Sequence, residues 1–196
     1  MILYTILIVI FLCFACWYDG WWISSLTEEE GKDLYKALSG QRVEDQPKTT
    51  VNPNAVNLFA RTDNGKAFYM LNLIKDKKDL ESKDMGALES IDRNYAKVVF
   101  PLLFKHGCHP VLVSKPLTTF SQPATEEEWD AIFIIRYRSR RDLYKIVTNP
   151  EFQKAWEFKL ASIQNTTVIP SIPVLQGVNL KWIVGLILIL IGWVST

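Results

Sequence analysis

Charge is missing from both ends of this sequence. No Asp, Glu, Lys or Arg occurs from Met1 to Tyr18, and none follows Lys181, so all 22 basic and 21 acidic residues lie between. A near-neutral balance supplies no broad field for a polyanion, and no nucleic acid partner is expected. Cysteine is scarce. Cys13 and Cys16 lie in the first apolar stretch and Cys108 stands alone, so no disulfide framework can form within the domain. The Cys13-x-x-Cys16 spacing lacks the thiolate-stabilising surroundings of a redox pair. Histidine is limited to His106 and His109. G-x-x-x-x-G-K-[ST], G-x-G-x-x-G, G-x-S-x-G and H-E-x-x-H are all absent, which leaves phosphate cradling, dinucleotide binding and serine hydrolysis without support.

What the ends do have is hydrocarbon. Residues 1–18 read MILYTILIVIFLCFACWY, and eighteen helical residues span about 27 Å, close to a bilayer core. Trp17, Tyr18, Trp21 and Trp22 suit the headgroup boundary. A cleaved signal peptide would carry a positive start and small residues after the apolar run, and neither is present. Residues 178–194 form a second, shorter candidate span, extended if Lys181 snorkels. Gly185 and Gly192 leave shallow spots for a neighbouring helix. These features predict an integral membrane protein in contact with the lipid bilayer. Its middle domain leans to the cytoplasmic side through Lys181, although long domains cross regardless of charge.

Between the spans, 19–65 reads as one short helix and a linker. Thr27 and Glu30 form a capping box that opens a helix to about Leu38, and Gly40 closes it. Pro47, Pro53 and several Asn then suggest a long surface strap, with a turn at Asp63-Asn64-Gly65. Residues 66–175 form the domain proper. AFYMLNLI (67–74) is a strand. Residues 86–106 repeat apolar side chains at helical spacing, with Pro101 predicting a kink or break and Gly107 the stop. Residues 109–115 and 129–137 are strands. Residues 140–163 are helical with a fresh start at Asn149-Pro150, and 167–175 is a closing edge strand. The order βαββαβ predicts an α+β ferredoxin-like fold. Strands 67–74 and 129–137 carry apolar residues on both faces, so the sheet is expected to pair with a second copy, as a homodimer, or with another subunit.

FYMLNLI (68–74), YAKVVFPLLFKHGCHPVLV (95–113), and WDAIFIIRYRSRRDLYKIVTNPEF (129–152) with the closing helix resemble the dimeric α/β-barrel superfamily, most closely its small uncharacterised ferredoxin-like domains. Arg136-Tyr137 with Ser139, followed by Asn149-Pro150-Glu151-Phe152, is the most specific part. The resemblance covers residues 66–175 and implies the fold. The superfamily includes cofactor-free monooxygenases, lactone isomerases, haem enzymes and non-catalytic members, so it does not select a chemistry.

Two sets of candidate site residues follow. Asn72, Tyr95, Arg136 and Tyr137 could line a ligand pocket between sheet and helices. His106 and His109, flanking Gly107-Cys108, could converge on a metal or haem, against a plain helix C-terminus in which His106 meets the dipole. Arg136, Arg138, Arg140 and Arg141 form a basic knot, read as a solvated helix start with carboxylate partners or as a contact for anionic headgroups. No pair of carboxylates falls within a predicted strand, and Asp130 alone is a weak acid-base candidate. The leading expectation is a non-catalytic, membrane-anchored accessory or assembly subunit of a larger membrane complex, with no catalytic residues and no cofactor. The alternatives are a membrane-bound cofactor-independent oxygenase or isomerase acting on a lipophilic molecule, and a haem- or metal-binding protein.

Overall fold

The structure, a computed structural model, describes residues 2–40, 51–77, 93–121, 128–175 and 179–194. Chain order runs through helix α1 (Ile2–Asp19), α2 (Glu28–Ser39) and α3 (Pro53–Arg61) to strand β1 (Phe68–Asp76) and helix α4 (Arg93–Lys105). Strands β2 (His109–Ser114) and β3 (Ala131–Tyr137), helices α5 (Arg140–Val147) and α6 (Pro150–Ser162), strand β4 (Ile163–Ser171) and helix α7 (Leu180–Val194) complete it. The four strands form one antiparallel sheet in the order β2-β3-β1-β4, the βαββαβ arrangement of a ferredoxin-like α+β domain.

Local chemistry explains most boundaries. Thr27 caps α2 by accepting from the Glu30 amide while the Glu30 carboxylate accepts from the Thr27 amide. Asn149 caps α6 with Pro150 in its first turn. Gly107 takes φ +66°, the left-handed stop after α4. Gly65, at φ +71°, donates its amide to the Asp63 carboxylate in the turn before β1.

Four expectations need correction. The strap contains a helix, α3, capped by Asn52 with Pro53 in its first turn; its apolar Val56 and Phe59 pack against the core. Helix α4 continues past Pro101 without a break there. Its expected opening at 86–92 lies outside the described residues. Strand β4 begins at Ile163, four residues before the expected start, because it picks up pairing to Asp76 immediately after α6. The second apolar end helix spans fifteen residues, so among the described residues α1 is the one helix with the length and apolarity to cross a membrane.

The core sits between the sheet and the helices. Phe68 and Met70 of β1 meet Val99 and Leu103 of α4, Ile146 of α5 and Phe152 of α6 there, all buried. At about 25 cal/mol per Å² of apolar surface, each such side chain stabilises the fold by about 1.5–3 kcal/mol. The sheet's other face carries a row in direct register, Leu112–Ile134–Leu71–Ile169. Its central pair is half-buried, and its outer members are 47% and 44% exposed. Helices α1 and α7 pack antiparallel. Gly185 lies against Phe11 and Gly192 against Tyr4 and Leu7, and Lys181 pairs with Asp19 at 2.6 Å. Most of their remaining side chains are exposed.

Candidate functional site

A cavity of about 570 Å³ lies between the sheet's inner face and helices α3, α4 and α6, within the size range of small-molecule sites. Strand alternation decides which residues reach it. Met70, Asn72 and Ile74 of β1 share a face with Phe133, Ile135 and Tyr137 of β3, and all of them line the space. Tyr95, Phe152 and Trp156 form an aromatic wall, with Tyr95 edge-on to both partners at centroid distances of 6.3 and 6.1 Å. The exposed lining residues are Asn52 and Ala55 at the start of α3 and Val168 and Pro170 of β4, so the rim runs between these elements.

Of the four expected pocket residues, Asn72, Tyr95 and Tyr137 line this cavity and Arg136 does not. Arg136 is adjacent to Tyr137 in a strand, and period-two alternation sends it to the opposite face. Burial pushes the Tyr95 and Tyr137 phenols up, so both are neutral hydrogen-bonding groups at physiological pH. The Asn72 amide donates to the Met70 carbonyl at 3.2 Å.

Lys159 is the residue that sequence reasoning missed. It is 8% exposed, and among the described lining residues it is the one with a formal charge. Its ammonium lies 4.4 Å from the Trp156 ring centroid and 5.8 Å from that of Tyr95. No carboxylate partner is found among the described residues. Burial therefore lowers its pKa to about 8. A signal was available. Phe152, Trp156, Lys159 and Ile163 recur at four, three and four residues, a single helical stripe in which one apolar place is taken by lysine.

The other polar cluster joins α1 to the sheet's opposite side. Arg136, 2% exposed, donates to the carbonyls of Gly107 and Tyr18 at 3.3 and 3.2 Å. Arg138 makes two 2.8 Å bonds to the buried Asp142 carboxylate and donates to the Trp17 carbonyl at 3.2 Å. The Ser139 hydroxyl also donates to Asp142, at 2.8 Å. Burial pushes the Asp142 pKa up, but the bonds from Arg138, His106 and Ser139 outweigh it and hold the carboxyl at about 2. Arg140 binds the Phe59 carbonyl and the Thr62 hydroxyl, and Arg141 pairs with Glu30 at 2.9 Å. The expected solvated knot is instead a set of internal clamps. Arg136, Arg138 and Arg140 are buried because α1 and α3 cover them.

The two histidines do not converge. The His106 ring faces Asp142 at 3.4 Å, whereas Nε2 of His109 meets the Tyr18 hydroxyl at 2.9 Å and its Nδ1 the Pro110 carbonyl at 3.0 Å. Burial lowers the His109 pKa. Among the described residues no group of three or more ligand-type side chains gathers in one place. Cys108 is buried, its pKa pushed up to about 12 by that burial, which leaves an inert thiol.

No protein-family model matches the sequence, and neither does any curated protein. Solved structures do resemble the fold. A protein of unknown function from Rhodopseudomonas palustris aligns at 20% identity over 65% of this chain and 97% of that one, with a TM-score of 0.54. The methylated form of that protein aligns at 18% identity over 68% and 99%, with a TM-score of 0.55. A dimeric protein of unknown function and ferredoxin-like fold from Bacteroides fragilis aligns at 14% identity over 55% and 96%, with a TM-score of 0.36. At such identities the likeness speaks for the fold alone, an α+β arrangement built on one four-stranded antiparallel sheet, and the chemistry rests on this chain's own side chains.

Proposed function

We propose that this chain is a membrane-tethered binding domain that holds one lipophilic small molecule in the cavity beneath its sheet. The observation that carries the reading is the cavity: about 570 Å³, walled largely by aromatic and aliphatic side chains, with Asn72, Tyr95, Tyr137 and Lys159 among its polar groups. The tether is α1, a helix of bilayer length, with α7 packed along it through Gly185 and Gly192. A domain held at a membrane surface meets apolar molecules where they are concentrated. If the cavity also supports turnover, in the manner of a cofactor-independent oxygenase or isomerase, the same four polar groups are those that would orient the substrate. The test is to purify the full chain in mild detergent and measure binding of a neutral fluorescent apolar dye. Ala96→Phe, which adds a ring to the cavity wall, should weaken binding at least tenfold in a folded protein. Equal binding by both proteins, or none by either, overturns the reading.

A second reading, favoured by a separate observation, is that the chain works through protein–protein contact as an accessory subunit. The Leu112–Ile134–Leu71–Ile169 row is an apolar stripe on the sheet face that the domain's own helices leave uncovered. Two such sheets stacked face to face would make the dimeric α/β-barrel arrangement. Leu71→Lys should then yield monomers by sedimentation in detergent while leaving dye binding intact. Unchanged mass would remove this reading.

A further inference from the structure

We infer that the cavity's occupant is an amphiphile with a single carboxylate head, and that Lys159 is the residue that receives it. The inference rests on the binding role proposed above and specifies its ligand class. Three features of the cavity point the same way. Lys159 enters an apolar space with its amine against the faces of Trp156 and Tyr95, and no acidic side chain lines that space among the described residues. A buried ammonium with ring faces but no counter-ion is an incomplete ion pair, and an incoming anion completes it. One cation balances one negative charge. A dianionic phosphate monoester would leave net charge in an apolar enclosure, whereas a carboxylate leaves none. The nearby indole strengthens the match, since the buried Trp156 Nε1 has no acceptor among the described residues and the chamber is thus rich in donors. The rest of the ligand meets side chains such as Val99, Phe133, Ile135 and Leu160, which offer hydrocarbon alone.

The pairing has a pH signature. Among the described residues the rings of Tyr95 of α4 and Trp156 of α6 face the amine, and burial is the cause of its lowered pKa. A bound carboxylate raises that pKa again. Affinity for the acid therefore stays level up to about pH 8 and falls as the pH climbs from there towards the higher pKa of the complex.

The experiment uses the full chain in mild detergent, with radiolabelled hexadecanoate and hexadecanol measured separately by scintillation proximity. Wild type and Lys159→Met are compared in the same micelles. The expected result is at least tenfold tighter binding of the acid than of the alcohol, with the preference gone in Lys159→Met. If acid and alcohol bind alike in wild type, the carboxylate assignment is overturned while cavity binding stands. If neither binds, and the neutral dye does not bind either, the binding role itself fails and takes this inference with it. Should Lys159→Met not fold, the wild-type profile decides: affinity for the acid that stays level from pH 8 to 10 overturns the role of Lys159.

Discussion

Arg136 lies over the face of Tyr18, its guanidinium carbon 3.8 Å from the ring centroid, and donates to the Tyr18 carbonyl at 3.2 Å. The same tyrosine gives its hydroxyl to the His109 contact, so the last turn of α1 meets both β3 and β2. Helix C-terminal carbonyls lack intrahelical partners, and here Arg136 and Arg138 supply them for Tyr18 and Trp17. Arg136→Ala should cost about 3 kcal/mol, read as a lower midpoint in thermal unfolding of the detergent-solubilised chain. Arg136→Lys should not restore it, because a point charge cannot reach both carbonyls and cover the ring.

Asp142 makes a second stability test. Its carboxyl titrates at about 2 in the folded chain against an ordinary 3.8, so its contribution is present above pH 3.8 and disappears as the pH falls through about 2. Acid unfolding of wild type should show that decline, and Asp142→Asn should flatten it. At neutral pH the variant leaves Arg138 buried without its charge partner, and it should be destabilised by about 3–5 kcal/mol in denaturant unfolding.

Lys159 gives a prediction of opposite sign. With a folded pKa of about 8 against an ordinary 10.5, the folded state binds fewer protons than the unfolded one between those values. Stability of the ligand-free protein should therefore rise as the pH goes from about 8 to about 10.5. Lys159→Met should remove that slope and raise stability at pH 7 by about 1 kcal/mol, measured by urea unfolding. A variant less stable than wild type at pH 7 would show that Lys159 has a counter-ion.

Much of the domain was legible because its signals are local. The short apolar runs at 68–74 and 131–137, the Asn149-Pro150 restart and the Gly107 stop each act within a few residues, and the structure follows them. Helix α3 was harder to see. It is nine residues long, and Asn54 and Asn57 interrupt its apolar pattern, although Asn52-Pro53 is a sound opening. The pairing of Arg136 with Tyr137 in one pocket disregarded strand geometry. The buried clamps were out of reach for another reason. Whether Arg138 is solvated depends on α1, which is 121 residues away at Trp17 and meets it only after folding. The Phe152–Trp156–Lys159–Ile163 stripe was visible in principle, but a lysine in a helix ordinarily reads as surface.

The helix pair of α1 and α7 is testable at Gly192, where an added Cβ would lie 2.8 Å from Cε1 of Tyr4 and 3.2 Å from Cδ1 of Leu7. Gly192→Ile should force the helices apart and lower the unfolding midpoint in detergent, a cost of about 1–3 kcal/mol. Gly192→Ala should cost less, because the Tyr4 ring can turn aside from a single methyl group.

Both outer strands of the sheet carry a proline, Pro110 in β2 and Pro170 in β4. An imide nitrogen has no hydrogen to donate, so neither margin offers an unbroken ladder to a foreign strand. Growth of the sheet sideways into ribbons or fibrils is thereby discouraged at its two open ends.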